Sequence, residues 1–337
     1  MTLYCGIDLH ANNSVISVLD ERDHVHFEKR LPNDLAAIID ALQPFKNELL
    51  ACVVESTYNW YWLVDGLMDR GFDVRLAHTG AITQYAGIKY TNDETDARHL
   101  AHLLRLEILP EGYIMPRDQR AVRDLLRRRM LLVHQRTLHL LSLQSLIVRH
   151  TGERLSANQI KALNREKIAQ KLSPPIQLGG QISMMAMQWL NGAVDQLEQE
   201  ILKQLKENKG YGLLTTIPGV GKILGSTIVL ETGDIGRFAT PGNYASYARC
   251  VSTEKISNGK NKGRGNKKNG NKYLAWAFME AAHYAAIWSP EIKRFYQKRK
   301  AKRHILVAKK TVANKLAKAC YHMLSKQEVF NVQRAFG

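Results

Sequence analysis

Cysteine is scarce and scattered: Cys5, Cys52, Cys250 and Cys320 form no Cys-x-x-Cys pair. That excludes a zinc ribbon and a disulfide framework. No run approaches the ~18 apolar residues of a membrane span. The first residues lack the basic start of a signal peptide and meet Asp8 early, so the chain reads as cytoplasmic with no membrane partner. Acid is missing from two long stretches: residues 255–279 hold seven Lys or Arg and residues 292–327 hold twelve, with no Asp or Glu in either. Base-reading signatures such as a zinc finger or an RNP motif are also absent.

What is present is a chain of 337 residues, 45% hydrophobic and 23% charged, with a formal net charge of +17. At about 150 residues per domain this is roughly two domains with real cores. The charge is unevenly spread. Residues 1–110 carry nine Lys+Arg against sixteen Asp+Glu, a net of −7, whereas the remainder carries 39 against 15, a net of +24. A basic region interleaved with Leu, Val, Ile and Trp points to a folded domain with a polyanionic partner.

The first segment alternates strands and helices. Apolar runs at 3–7, 14–18, 25–28, 51–54 and 74–77 read as strands, with a helical face at Leu35, Ile38, Ile39 and Leu42 and a helix from Tyr61 that Gly71 stops. The order β-β-β-α-β-α-β is that of the ribonuclease H-like fold. From Asp118 to Thr151 there is no Gly or Pro, and Leu126, Met130, Val133, Thr137, Leu140, Gln144 and Ile147 step by four and three. That is a heptad seam on a long helix. Leu190, Val194, Leu197, Ile201 and Leu205 repeat it after a break near Pro174-Pro175 and Gly179-Gly180. Two such helices make a coiled-coil arm, a dimer contact or a linker domain packed on itself. From about residue 210 the chain reads as mainly helical, with a loop over 257–272, a helix over 273–287 and a basic helix within 291–325. The expected domains are 1–113, 114–208 and 209–337.

Four carboxylates stand where chemistry is usually mounted. Asp8 ends the first strand, Glu55 ends the fourth, and Asp93 and Asp96 open a helix at i,i+3 spacing, on one face. Such a set can converge on Mg²⁺, a hard cation that prefers carboxylate oxygen and can activate a nucleophile at a phosphodiester. Asp93 and Asp96 alone are also what a helix dipole favours at its N-terminus. A carboxylate ending an apolar strand, by contrast, needs partners. Glu94 points elsewhere on the helix.

The blocks Tyr4-Cys5-Gly6-Ile7-Asp8, Val54-Glu55-Ser56-Thr57 and Thr95-Asp96-Ala97-Arg98 resemble the DEDD domain of the insertion-sequence family 110 transposases, relatives of the Piv-type DNA invertases. The resemblance spans nearly the whole chain. It implies a RuvC-like α/β catalytic domain and a C-terminal transposase domain, here mainly α, whose serine becomes joined to a DNA phosphate. Carried over by motif, that serine is Ser257 in Ile256-Ser257-Asn258-Gly259. Many relatives have Ser-Ser-Gly, and Ser252 is a weaker alternative. The resemblance further implies DNA as donor and target, a bridge RNA as guide, a dimer or tetramer, and a bacterial protein, nucleoid-associated when active.

A serine hydroxyl needs a base, a metal or local positive charge to attack. The surrounding Lys260, Lys262, Arg264, Lys267, Lys268 and Lys272 are therefore candidate phosphate contacts. So are Arg98 beside the tetrad, Arg127, Arg128 and Arg129 on the long helix, and Lys298, Arg299 and Lys300 in the acid-free C-terminal run. Pro218-Gly219-Val220-Gly221-Lys222 resembles a helix-hairpin-helix turn, with Gly219, Gly221 and Lys222 as contacts. It lacks the Walker A spacing. The leading expectation is a recombinase that uses the four acids, Mg²⁺ and a serine. A RuvC-like nuclease with water as nucleophile, a Piv-like invertase without RNA, and a non-catalytic nucleic-acid-binding protein are the alternatives.

Overall fold

The computed structural model describes residues 1–82, 93–251, 256–263 and 269–337, with the backbone alone at Ile256 and Asn261. The chain divides into two compact units, Met1–Met115 and Pro116–Gly337. Among the described residues, no helix is long and apolar enough to cross a membrane.

The first unit is built on β1 (Leu3–Leu9), β2 (Asn13–Leu19), β3 (Val25–Pro32), α1 (Leu35–Leu42), β4 (Leu49–Glu55), α2 (Tyr61–Asp69), β5 (Val74–Ala77), α3 (Asp93–Arg105) and β6 (Glu111–Gly112). The sheet order is β3-β2-β1-β4-β5-β6. Strands β1 to β3 form an antiparallel meander, β4 and β5 continue parallel to β1, and β6 closes the edge antiparallel. The sequence pattern gave no sign of β6, which is only two residues long.

Strand parity decides what each face does. Leu3, Cys5, Ile7, Leu9, Cys52 and Val54 pack with Ile38, Leu42, Leu63 and Leu67 from α1 and α2. Ala51, Val53 and Ala77 pack with Leu100, Leu103 and Leu104 of α3 on the other side. With both faces covered, β1 and β4 read as continuous apolar runs. Asp34 caps α1 by accepting from the Ala37 amide at 3.1 Å, and Gly71 at φ 76° follows the end of α2.

Space at Gly6 sets how closely α3 lies on the sheet. A Cβ there would stand 2.0 Å from the Ala97 carbonyl oxygen and 2.8 Å from the Ala101 amide nitrogen. No side chain fits in that gap, and small Ala97 and Ala101 form the matching helix face.

The second unit holds two long helices, α4 (Arg117–Thr151) and α7 (Pro174–Gln204), joined through α5 (Ala157–Lys161) and α6 (Arg165–Lys171). The two run antiparallel: Arg129 bonds Glu198 at 2.6 Å and, farther along α4, Arg136 bonds Asn191 at 2.7 Å. Leu126, Leu140 and Ile147 of the predicted seam are buried, but Thr137 is exposed. Helix α7 begins at Pro174 and runs through Gly179-Gly180, which the sequence pattern takes as part of a break. Gly180 is tolerated because it makes room for α6: its Cβ would sit 3.1 Å from Ile168 and 3.2 Å from Leu172.

The rest of this unit comprises α8 (Lys209–Leu214), α9 (Lys222–Thr232), α10 (Pro241–Tyr247), the hairpin β7 (Ile256–Ser257) and β8 (Lys260–Asn261), α11 (Lys272–Trp288), α12 (Pro290–Lys300), α13 (Ile305–Lys326) and α14 (Val332–Phe336). The predicted basic helix is thus two helices, α12 and α13. Ala277, Ala281, Ala282 and Ala285 give α11 a thin, fully buried face, packed in one core with Ile228 of α9 and Leu316 of α13.

Gly6→Ala should destabilise the protein by about 1–3 kcal/mol, because backbone must shift to admit the methyl group. Gly179→Ala, whose Cβ meets nothing within 4 Å, should be neutral or stabilise α7 by about 0.5–1 kcal/mol. Urea unfolding of the two variants measures both.

Candidate active site

Parity and register bring the acids together. Gly6 and Asp8 lie on the α3 side of β1, as Ala51, Val53 and Glu55 do on β4. Ile7 is paired with Val54 in the parallel ladder, so Asp8 and Glu55 follow side by side at the strand ends. The close seat at Gly6 and Ala97 then sets Asp96, the residue before Ala97, over the same place. Asp93 lies one turn earlier, at the start of α3.

Asp8 is 3% exposed. Its Oδ2 lies 3.2 Å from His10 Nε2, which in turn is 3.3 Å from Asp93 Oδ2. Arg30 Nη2 donates to that same Asp93 oxygen at 2.6 Å. The side chains of Asp8, His10 and Asp93 each offer a ligand atom within 4.8 Å of the others. Asp8 Oδ2, His10 Nε2 and Asp96 Oδ1 are buried without a hydrogen-bond partner. Buried polar atoms left in this state are costly, and the group Asp8, His10 and Asp93 could hold a metal ion.

Electrostatics says the same. Burial, then the adjoining Asp8 and Asp96, pushes the Glu55 carboxyl up to about 8. Burial and the charges of Asp8 and Asp93 also raise Asp96, against an opposing pull from His10. Asp93 is lowered, by the Arg30 hydrogen bond first and by His10. Three acids therefore crowd at the buried end of the cluster while the fourth is tied to Arg30. His10 and Arg30 were not among the sequence candidates. The spacing Asp8-Leu9-His10 was a signal for the first, but nothing local marks Arg30, which is 63 residues from Asp93.

In the second unit, Ser257 is exposed and paired with Lys260 across the β7–β8 hairpin. Asn258 at φ 49° and Gly259 at φ 68° make its turn. Two positive φ values are the mark of a type I′ turn, which Asn-Gly favours strongly. The departure from Ser-Ser-Gly thus places a turn-forming Asn directly after the serine. Lys260 and Lys262 are exposed beside it. Ser252, Arg264, Lys267 and Lys268 lie outside the described residues.

Three expected phosphate contacts have other partners. Arg98 forms a bidentate pair with Glu28, Arg127 one with Glu231 at 2.7 and 2.8 Å, and Arg129 bonds Glu198. The sequence makes such arginines look unneutralised because these carboxylates are 70, 104 and 69 positions away. Arg128, by contrast, is exposed, as are Lys222, Lys272, Lys298, Arg299 and Lys300. Lys272 and Arg299 lie over the rings of Tyr273 and Phe295. Gly219, at φ 82°, has its Cα against the Tyr284–Ala285 backbone, whereas Gly221 is in open space and starts α9 without a side-chain cap.

Two family models match. Residues 5–151 match a DEDD transposase domain of the IS110 type, and residues 211–297 match the Transposase IS116/IS110/IS902 family. A search of curated proteins gives no match.

The crowded acids carry a pH signature. Glu55 keeps its proton to about 8 in the folded protein, whereas an ordinary Glu loses it near 4.5. Between those values unfolding releases a proton, so Glu55 ionisation lowers stability as pH rises. The metal-free melting temperature of wild type, compared with Glu55→Gln, should therefore fall progressively from about pH 5 to about pH 8. Differential scanning fluorimetry in a chelator measures the difference, and a pH-independent gap would contradict the assigned crowding.

Proposed function

The chain belongs to the IS116/IS110/IS902 family of transposases, and from that premise we propose that it moves a DNA element by Mg²⁺-dependent strand exchange through a phosphoserine at Ser257. Family membership makes it a DNA transposase or recombinase that uses a divalent metal. The observation that carries the finer reading is the convergence of Asp8, Glu55 and Asp96 with orphaned, buried donor atoms at the end of a central strand. A three-stranded antiparallel meander followed by two parallel strands, in the order β3-β2-β1-β4-β5, supports an RNase H-like, RuvC-like fold for residues 1–113.

Asp8, Glu55, Asp93 and Asp96 would hold the cation, with His10 beside them. A bound divalent ion supplies charge stabilisation at the phosphate and lowers the cost of forming the nucleophile. Ser257 Oγ attacks phosphorus, forming an O–P bond as one backbone P–O bond breaks; the departing sugar oxygen takes up a proton in place of the one the serine gives up and leaves as a hydroxyl. Lys260 and Lys262 hold the phosphate oxygens. Attack by a second strand's hydroxyl reverses the step and rejoins DNA, so the bond energy is kept and no external energy source is needed.

Residues 114–208 then form the coiled-coil arm and 209–337 the serine-bearing domain. On α4, Leu131, Leu138, Leu141 and Val148 are exposed, and on α7 Leu178, Ile182, Met185 and Trp189. Their steps of three, four and seven are those of a second heptad stripe, which supports self-association as a dimer or tetramer. The absence of a base-reading motif, with a net charge of +24 beyond residue 110, supports guidance by a bridge RNA.

Trapping the covalent protein–DNA adduct on a denaturing gel, with Mg²⁺ and the element's own non-coding RNA, tests the reading. Ser257→Ala and Asp8→Asn should each reduce adduct by about 10³-fold or more, and Ser252→Ala should leave it intact. DNA cleavage without an adduct, insensitive to both serine changes, would make the enzyme a hydrolytic nuclease. Equal strand exchange with and without RNA would make it an invertase-like recombinase.

A further inference from the structure

Ser257 lies in the chain between Val251 and Asn269, and side chains hold the backbone at both of these points. At the outgoing end, Lys310 Nζ donates to the Val251 carbonyl at 2.8 Å. At the returning end, Arg249 Nε donates to the carbonyls of Asn269 and Gly270 at 3.1 and 3.0 Å. Gly270, at φ 87°, lies so close to the chain that a Cβ would stand 2.4 Å from the Tyr247 carbonyl oxygen. The next amide, of Asn271, donates to that oxygen at 2.6 Å.

Asn271 then works in two directions. Its Oδ1 accepts from the amides of Tyr273 and Leu274 at 2.8 and 3.0 Å and so starts α11. Its Nδ2 donates to Glu231 Oε2 at 2.7 Å. Glu231, on α9, is 1% exposed. Its other contacts are the two guanidinium bonds from Arg127 at 2.7 and 2.8 Å, and the Arg127 guanidinium lies over the Tyr273 ring at 4.7 Å.

A buried ion pair adds little stability over an apolar pair of the same shape. Three charge-assisted donors converging on one carboxylate do fix direction. We propose that Glu231, held by Arg127, is a positioning residue for the nucleophile: through Asn271 it sets where the Ser257 segment rejoins the core. This rests on the reading of Ser257 as nucleophile. A misplacement of about 1 Å at a reacting atom can cost about 10²-fold in rate, so a residue that never touches DNA can control the step.

Asn271→Asp isolates the link. Asp caps a helix as well as Asn does, so α11 keeps its start, but the amide donor becomes a carboxylate facing Glu231. Adding Glu231→Gln restores a donor–acceptor pair at the same place. With plasmid DNA carrying the element, its non-coding RNA and Mg²⁺, Asn271→Asp should slow adduct formation at saturating DNA by about tenfold or more. DNA affinity should stay at the wild-type value, whereas the melting temperature should fall because two carboxylates now face each other at a buried site. Rates are therefore compared at a temperature where both proteins are fully folded. Hydrogen exchange in residues 256–263 should quicken, and the double variant should recover both rate and protection.

A rate within twofold of wild type with unchanged exchange overturns the proposal, as does a loss that the double variant fails to recover or that only tracks the fraction unfolded. Ser257→Ala in the same assay separates the two ideas. If its adduct persists, the nucleophile reading fails while hydrogen exchange still decides the clamp.

Discussion

The contact on which the first unit depends is the one between Gly6 and α3, where a helix backbone rests on a strand backbone with no side chain between them. Everything at the acidic end of the sheet follows from that distance. Two parallel strands bring Asp8 and Glu55 abreast, and a helix seated this low carries Asp96 onto them. The result is a group of carboxylates that repel one another at the buried end and are tempered at the exposed end by Arg30 and His10. Packing forces the charges together, and the same packing leaves Asp8 Oδ2, His10 Nε2 and Asp96 Oδ1 buried without a hydrogen bond.

The second unit solves a different problem with opposite charge. Its surplus of Lys and Arg is not uniformly available, because Arg127 and Arg129 are spent on Glu231 and Glu198 inside the helical body. Exposed positive charge stands at the hairpin beside Ser257 and at the end of α12. Internal neutralisation therefore sharpens a diffuse basic composition into particular surfaces. Nucleic-acid binding through those surfaces would be steeply salt-dependent.

Much of this was legible in the residues. The strands of the first unit were visible because β1, β2, β4 and β5 are short apolar runs ended by Asp, Glu or turn residues, and strand parity alone puts Asp8 and Glu55 on one face. The long α4 was visible from its missing Gly and Pro. What was not legible depends on distant partners or on space. Arg98, Arg127 and Arg129 look like a free basic surface until their glutamates are found some 70 to 100 positions away. Helix α7 was begun too late because Gly179-Gly180 resembles a break, when Gly180 is there to admit Ile168 and Leu172. Arg30 had no local signal, and β6 is too short to leave a pattern.

The hairpin bearing Ser257 has two residues in each strand, too few to be stable alone. The chain on either side of it, however, is bridged: Arg249, two residues before Val251, bonds the carbonyls of Asn269 and Gly270. A chain whose two ends are pinned close together behaves as a cassette, since lengthening a closed loop costs only about 0.6 kcal/mol per doubling. Ser257, Lys260 and Lys262 thus sit on a hairpin that is tied to the helices by anchors on either side of it. A change at the Asn258-Gly259 turn would therefore leave the core shared by α11 and α13 with its own packing.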